Sequence, residues 1–299
     1  MSAAMIDGAA GEAACKTPSQ TYSLGVLFMD ESQKGLTHPF FASVLNGFKI
    51  AAEARGYDVT FINHHIGDRV LTWLEYCRYR KLDGVCLACV NFSDPQVVEL
   101  VKSEVPCVTV DHLFRGIPAV LSDNETGVQK LVEHAISLGH RRIAFIHGHN
   151  NSVVTHTRIQ QFCQTMAFHE LPVPEEYLCA GLYSDIALTR ELVGKLLRLP
   201  EPPTCILLPD DVCYFGAEEA ARKLHLRVPG DVSFAGYDGI SMTQAIRPRL
   251  TTIRQNSEGL GEEAAERLIG MIEHPEAASR LPSFLPIELL TGETVAVPV

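Results

Sequence analysis

An α/β fold of two similar lobes, each a parallel sheet covered by helices, is predicted by three features of the 299-residue chain. From Leu24 onward, short β-rich runs alternate with helical-period stretches of about ten to fifteen residues. The alternation is punctuated at Gly139-His140-Arg141-Arg142 and then restarts, giving two runs of about a hundred residues each. The length, about twice that of one compact domain, accommodates two such units. Parallel strands joined through helices need right-handed crossovers, and these lay helices on both faces of a sheet.

Leu24 to Phe28 reads as the first strand. Phe41, Val44, Leu45, Phe48 and Ala52 then recur at helical spacing until Gly56 stops the pattern. Asp58 to Ile62 is a strand, Val70 to Tyr79 a helix, Gly84 to Val90 a strand, Pro95 to Ser103 a helix and Val105 to Val110 a strand. Ala119 to Ser122 is a further short strand. Asn124 or Asp123 is placed to cap the helix running to Leu138, because a side-chain oxygen satisfies the open amides of a first turn.

The second run predicts strands at Ile143 to His147, Leu178 to Gly181, Cys205 to Leu208 and Val232 to Ala235. Helices at Arg158 to His169, Ile186 to Leu197 and Val212 to Leu224 alternate with them. Leu250 to Ile253 is extended, and a helix from Ser257 to Ile272, capped by Ser257, carries Leu260, Ala264, Leu268 and Ile272 on one face. A strand pair, Ser283 to Leu290 and Thr294 to Val297, ends the chain, and no repeat period marks a solenoid.

Composition narrows the function classes. Apolar residues make up 46% and charged residues 20%, the balance of a globular core. With 25 basic and 36 acidic residues the net charge is −11, a field that repels nucleic-acid phosphates. No apolar run approaches the ~20 residues needed to span a bilayer. Met1 to Gln20 lacks a basic start and an apolar middle, and Glu12 spoils a lipoprotein-like reading of Ala13-Ala14-Cys15, so a disordered tail over residues 1–21 and a cytoplasmic location are expected. Nine cysteines, an odd number, mostly inside apolar runs, fit a reducing compartment.

Enzymatic signatures are missing. There is no Gly-x-Gly-x-x-Gly after a strand, no phosphate-binding Gly-x-x-x-x-Gly-Lys, no Gly-x-Ser-x-Gly and no His-Glu-x-x-His. Cys86-Leu87-Ala88-Cys89 has redox or zinc spacing but sits within an apolar strand with no helix start to activate a thiol, so core packing explains it. His147, His149 and His156, with His64-His65, have no carboxylate or cysteine at ligand spacing. No metal site and no cofactor are expected.

What remains is a set of polar and aromatic residues at the C-terminal ends of predicted strands, where open α/β sheets hold ligands. Phe40 and Phe41 follow the first strand, Arg158 opens a helix after Ile143 to His147, Tyr183 follows Leu178 to Gly181, Asp210 and Asp211 close the strand at Cys205, and Asp238 closes that at Val232. Each also has a purely structural explanation: core packing for the phenylalanines, an N-cap for Asp211, a turn for Asp238, a surface ion pair for Arg158. Their shared position at strand ends in two lobes favours a cleft.

Ser233-Phe234-Ala235-Gly236-Tyr237-Asp238, continued by Pro248-Arg249-Leu250-Thr251-Thr252-Ile253-Arg254-Gln255, closely resembles the effector-binding core of the lac and galactose repressor family. His38-Pro39-Phe40-Phe41, Asp83-Gly84-Val85, the block from Leu138 to Phe145, that from Leu226 to Ser233, and Leu285-Pro286-Ile287-Glu288-Leu289 match as well, so the resemblance covers about Tyr22 to Val299. It implies a periplasmic-binding-protein-like fold of type I: two Rossmann-like lobes joined by three crossovers, with a sugar or nucleobase-type metabolite in the cleft. The first lobe would be Tyr22 to Gly139 plus Gln255 to Pro282, and the second His140 to Arg254 plus Ser283 to Val299. The family's cleft positions fall on Phe40, Phe41, Arg158, Tyr183, Asp210 and Asp238, with Gln255 near a crossover and Ser152 in the loop before Arg158.

The sequence departs from that family where Gln161 replaces a usual glycine, where the loop Glu31 to Thr37 looks long, and at the N-terminus, where Met1 to Gln20 supplies neither the three helices nor the basic face of a helix-turn-helix. The resemblance implies a non-enzymatic effector sensor, homodimeric, touching operator DNA only through a helix-turn-helix outside this chain. Two other functions compete: a solute-binding protein of a sugar transporter, which needs an export signal, and a Rossmann-like enzyme, which needs a nucleotide motif or a nucleophile.

Overall fold

The computed structural model describes residues 20–29, 35–149 and 152–298. The chain begins as β1 (Ser23–Phe28), α1 (Pro39–Ala54), β2 (Asp58–Phe61), a small hairpin of β3 (His65–Ile66) and β4 (Arg69–Val70), α2 (Trp73–Arg80), β5 (Gly84–Ala88), α3 (Pro95–Val101), β6 (Cys107–Val110) and β7 (Ala119–Ser122). It continues as α4 (Asn124–Ser137), β8 (Ile143–His147), α5 (Val153–Phe168), β9 (Leu178–Ala180), α6 (Ile186–Leu196), β10 (Cys205–Leu207), α7 (Tyr214–Lys223), β11 (Ser233–Asp238), the short α8 (Ser241–Ala245), β12 (Thr251–Gln255), α9 (Ser257–Glu273), β13 (Ser283–Leu285) and β14 (Ile287–Leu290).

Two six-stranded sheets result. The first has the order β13-β7-β6-β5-β1-β2, the second β14-β12-β11-β10-β8-β9. Every pairing in both is parallel except that of β14, which runs antiparallel to β12. Central strands such as β5 are buried along their whole length, as strands covered on both faces must be. In the first lobe α1 and α9 seal one face through Phe40, Val44, Phe48, Leu260 and Leu268, while Trp73, Leu74, Val97 and Leu100 of α2 and α3 seal the other. In the second, Val193, Tyr214 and Ala217 of α6 and α7 face Val128, Leu131, Phe162 and Met166 of α4 and α5 across the sheet.

The lobe boundaries differ from those expected at three places. Helix α4, expected in the first lobe as far as Gly139, instead packs its apolar face, Val128, Leu131, Val132 and Ala135, with Ile143, Phe145 and Phe162. The first crossing therefore falls at Asp123. Likewise Ser283–Leu285, expected in the second lobe, pairs with β7 of the first and Ile287–Leu290 with β12, so the expected single strand is two and the crossing falls at Pro286. The remaining crossing falls at Asn256, one residue later than expected, because Gln255 pairs with Ile287 as the last residue of β12 in the second sheet, and α9 then packs against α1 of the first lobe. The expected tail over residues 1–21 lies outside the described residues as far as 19; Thr21, counted with it, is bonded to Asp83 and to the Lys81 carbonyl.

Local differences have local causes. The helix expected from Val70 starts at Trp73, because Thr72 and Glu75 form a reciprocal capping box with bonds of 3.2 and 2.8 Å. Asn256 rather than Ser257 caps α9, accepting from the Gly259 amide at 3.1 Å. Thr294 to Val297 forms no strand; Thr294 is instead buried, bonded to the Phe234 carbonyl and the Thr251 amide. The loop Glu31 to Thr37 lies outside the described residues as far as 34, and Gly35–Thr37 forms one 3₁₀ turn.

Candidate functional site

A cavity of about 220 Å³ lies between the lobes, at the C-terminal ends of the strands. All eight residues expected in the cleft line it: Phe40, Phe41, Ser152, Arg158, Tyr183, Asp210, Asp238 and Gln255. Phe40 and Phe41, in the first turn of α1, meet edge to face at 5.0 Å; Phe40 is also part of the first-lobe core, so its packing and cleft explanations hold together. Ser152 caps α5, accepting from the Thr155 amide at 3.4 Å. Helix α5 begins at Val153, so Arg158 stands in its second turn rather than opening it.

Arg158 is 5% exposed and held on three sides. Its Nε donates to Asn124 Oδ1 at 2.8 Å, its Nη1 donates to the Pro209 carbonyl at 3.2 Å, and its carbon Cζ lies 3.5 Å from the centre of the Tyr237 ring. Burial alone would lower its pKa, but the phenols of Tyr183 and Tyr237 with Asp238 and Asp111 more than reverse this, and the group stays cationic. Tyr183 donates to or accepts from Thr155 Oγ1 at 2.8 Å. Its ring lies so close to Gly148 that a Cβ there would stand 2.1 Å from a ring carbon, so the glycine at the end of β8 makes room for the tyrosine.

The acids divide into structural and open groups. Asp211 does not cap a helix. Its Oδ2 accepts from the Ile240 amide and Thr243 Oγ1, both at 2.9 Å, and its Oδ1 accepts from Thr252 Oγ1 at 2.5 Å, which fixes the turn that follows Asp238. Burial pushes its pKa up to about 7. Asp210 accepts from the Ser184 amide and hydroxyl and, at 2.9 Å, from the Cys213 amide ahead of α7. Asp238 sits at φ +108° and accepts from Gln255 Nε2 at 2.7 Å. Burial, and after it the charge of Asp210, hold Asp238 well above the usual carboxylate range.

Other lining residues were not singled out in the sequence. Asn91, Phe92, Asp111 and His112 follow β5 and β6, and the same strand-end rule applied to those two strands would have found them. Phe92 and His112 stack at 3.9 Å with their planes 2° apart. Asp111 is pushed up to about 6 by burial, and its Oδ1 has no partner. Asn124 and Tyr237, which position Arg158, had no sequence signal, because their role depends on a contact between distant elements. Across the cleft, His38 Nε2 lies 3.5 Å from Ser184 Oγ.

Cys86 is buried in β5 with its pKa raised to about 12 by burial, and Cys89 lines the cavity. Among the described residues no three histidines, cysteines or acids stand together as metal ligands would, and no helix is long and apolar enough to cross a membrane.

Residues 132–295 match the family model described as a periplasmic binding protein-like domain. The chain is similar to the HTH-type transcriptional repressor CytR of Escherichia coli K12, 29% identical over 266 residues that make up 87% of this chain and 77% of that protein. Among solved structures, a LacI family transcriptional regulator from Enterococcus faecium with bound ribose is 25% identical, with a TM-score of 0.78 over 92% of this chain and 99% of that one. The transcriptional regulator CelR in complex with cellobiose is also 25% identical, with a TM-score of 0.81 over 92% of this chain and 85% of that one.

Proposed function

Since the chain belongs to the periplasmic binding protein-like domain family and is the ligand-binding part of a LacI-family transcriptional regulator, we propose that its cleft binds a small carbohydrate or related metabolite as effector. Ligand binding closes the lobes, and in a cytoplasmic homodimer that closure resets the spacing of helix-turn-helix domains on operator DNA. The observation that carries this reading is the convergence of strand-end residues from both lobes on one cavity.

The side chains suit a sugar. Arg158 keeps Nη2 for a ligand oxygen, Asp238 accepts from hydroxyls, and Phe40, Phe41 and Tyr183 offer ring faces to weakly polar C–H surfaces. Ribose and cellobiose in the related regulators support the ligand class. Closure follows only if the ligand binds the closed arrangement more tightly, and a coupling of about 1–3 kcal/mol corresponds to a 5- to 150-fold preference.

A thermal-shift screen of sugars, nucleosides and sugar phosphates tests the reading. At a hundred times its Kd the effector adds about 2.7 kcal/mol of stability. Asp238→Ala should weaken binding of the hit by about 1–3 kcal/mol through an unpaired hydroxyl while leaving unfolding cooperative. Unchanged affinity in that variant places the ligand elsewhere, and a single-chain mass in sedimentation equilibrium rules out the dimer.

A further inference from the structure

Two separate sets of rings line the cavity. The first goes with its deep wall, where Phe40, Arg158, Asp210 and Gln255 are none of them more than 6% exposed and Tyr183 lies 6.0 Å from Arg158 Cζ. The second stands on the loops after β5 and β6. Phe92 and His112 stack at 3.9 Å with their planes 2° apart, and Phe114 meets them edge-on at 5.9 and 4.7 Å. Phe92 and His112 are half-buried, and their lining neighbours Asn91, Ser93 and Met29 are exposed, Met29 by 45%. Among the described residues no ring contact joins this set to Phe40 or Phe41. The stack is thus a platform at the mouth of the cavity, apart from the deep wall.

The loops that carry the platform are fixed. Cys89 and Asp111, the first residues after β5 and β6, sit at φ +54° and +57°, in the left-handed region that side chains ordinarily avoid and that clusters at functional sites. Thr109 Oγ1 donates to the His112 carbonyl at 2.6 Å, the Ser93 amide donates to Asn91 Oδ1 at 3.0 Å, and Asp94 caps α3 by accepting from the Gln96 amide at 2.8 Å. Phe92 and Phe114 rest on the first-lobe core, which anchors the pair. Burial lowers the His112 pKa, so the stack is uncharged at neutral pH. Flat neutral rings beside an exposed thioether suit another flat, uncharged face. A single sugar ring held by Arg158, Asp238 and Gln255, with its faces toward Phe40, Phe41 and Tyr183, leaves that platform uncovered.

We propose that the effector is a sugar joined to a second ring, the sugar held at the deep wall and the second ring lying on the Phe92–His112 stack. An aromatic aglycone, a nucleobase and a second pyranose all present the flat, uncharged face this needs. The proposal rests on the effector reading of the same cavity and narrows its ligand class to exclude free monosaccharides.

Calorimetry on the full chain at neutral pH tests it with glucose, galactose and ribose, their methyl glycosides, and two-ring compounds of each: phenyl glucoside and cellobiose, phenyl galactoside and lactose, adenosine and uridine. One two-ring compound should bind about tenfold or more tighter than the methyl glycoside of its own sugar, a difference of about 1.4 kcal/mol, and its identity tells which kind of ring is used. Phe92→Ala should cut that preference to about twofold or less, and His112→Ala serves if the first variant does not fold. A free sugar or methyl glycoside binding as tightly as every two-ring compound that shares its sugar, or a preference that survives both substitutions, overturns the platform and leaves the sugar effector standing. Binding by none of the compounds overturns both.

Discussion

Replacing Arg158 by lysine keeps the charge and removes the fork, which makes it the sharpest probe of the site. The guanidinium reaches Asn124 Oδ1 at 2.8 Å and the Pro209 carbonyl at 3.2 Å from two nitrogens while its Cζ lies 3.5 Å from the centre of the Tyr237 ring. A lysine ammonium can meet one of these acceptors at a time. Asn124 cannot turn away, because its Nδ2 donates to the Ser122 carbonyl at 3.1 Å. One charge-assisted bond, about 1.5–3 kcal/mol, is therefore lost, with part of a desolvated cation–π contact of about 2 kcal/mol. Arg158→Lys should destabilise the second lobe by about 2–4 kcal/mol in urea unfolding, and weaken the effector found by screening about 10- to 100-fold. Asn124→Ala, which removes one partner of the guanidinium without taking a group out of the cavity wall, should cost about 1–3 kcal/mol in stability. If Arg158→Lys unfolds within 0.5 kcal/mol of the parent, the guanidinium is not fixed by these contacts and its role as the positioned donor of the site fails.

Three further outcomes follow from the packing. Asp211 has its pKa raised to about 7, against about 3.9 in an unfolded chain, so its contribution is fully present below the unfolded value and is lost as pH rises through 7; between pH 5 and 8 this removes about 3 kcal/mol, and Asp211→Asn, which does not titrate, should show a stability–pH curve flatter by that amount in urea titrations. Gly261→Ala places a Cβ 1.9 Å from the Val44 carbonyl in the α1–α9 contact and should cost about 1–3 kcal/mol by thermal unfolding; a neutral result would mean these helices are not in close contact. Tyr237→Phe should leave stability within about 0.5 kcal/mol, since the hydroxyl is buried without a partner and the ring face alone meets Arg158; a loss above 1 kcal/mol would show that the hydroxyl is bonded.

The alternation of strands and helices was legible because each parallel strand is buried on both faces and each helix on one, so β5 and α9 announce themselves by composition and spacing alone. The crossings were less so. Helix α4 has an ordinary apolar face, and nothing in Val128, Leu131 and Val132 says which sheet that face will meet; the punctuation at Gly139 marks the end of the helix, not the end of the lobe. Ser283 to Leu290 reads as one strand because Pro286 interrupts a continuous apolar pattern by a single residue, and only pairing with β7 and β12 reveals the switch of sheets. The strand-end rule located residues after β1, β8, β9, β10 and β11 but missed those after β5 and β6, and it assigned Asp211 and Asp210 alike. Side-chain direction separates them: Asp211 turns to Thr243 and Thr252, whereas Asp210 borders the cleft.

The positions of the three crossings bear on how a ligand could move the lobes. Asp123 and Asn256 each cap the helix that follows them, with bonds to the Thr126 and Gly259 amides, and the Asp123 amide donates to the Leu285 carbonyl next to Pro286. The crossings are thus short, and those at Asp123 and Pro286 are tied to each other, while each lobe is internally close-packed, as at the α1–α9 contact where glycines admit backbone to backbone. A change in lobe angle has to be absorbed in those few residues, the usual place for a hinge. In the proposed mechanism the closing energy comes from a molecule that touches Phe40 and Phe41 of one lobe and Arg158 and Asp238 of the other at once, and a ligand confined to either side would bind without signalling.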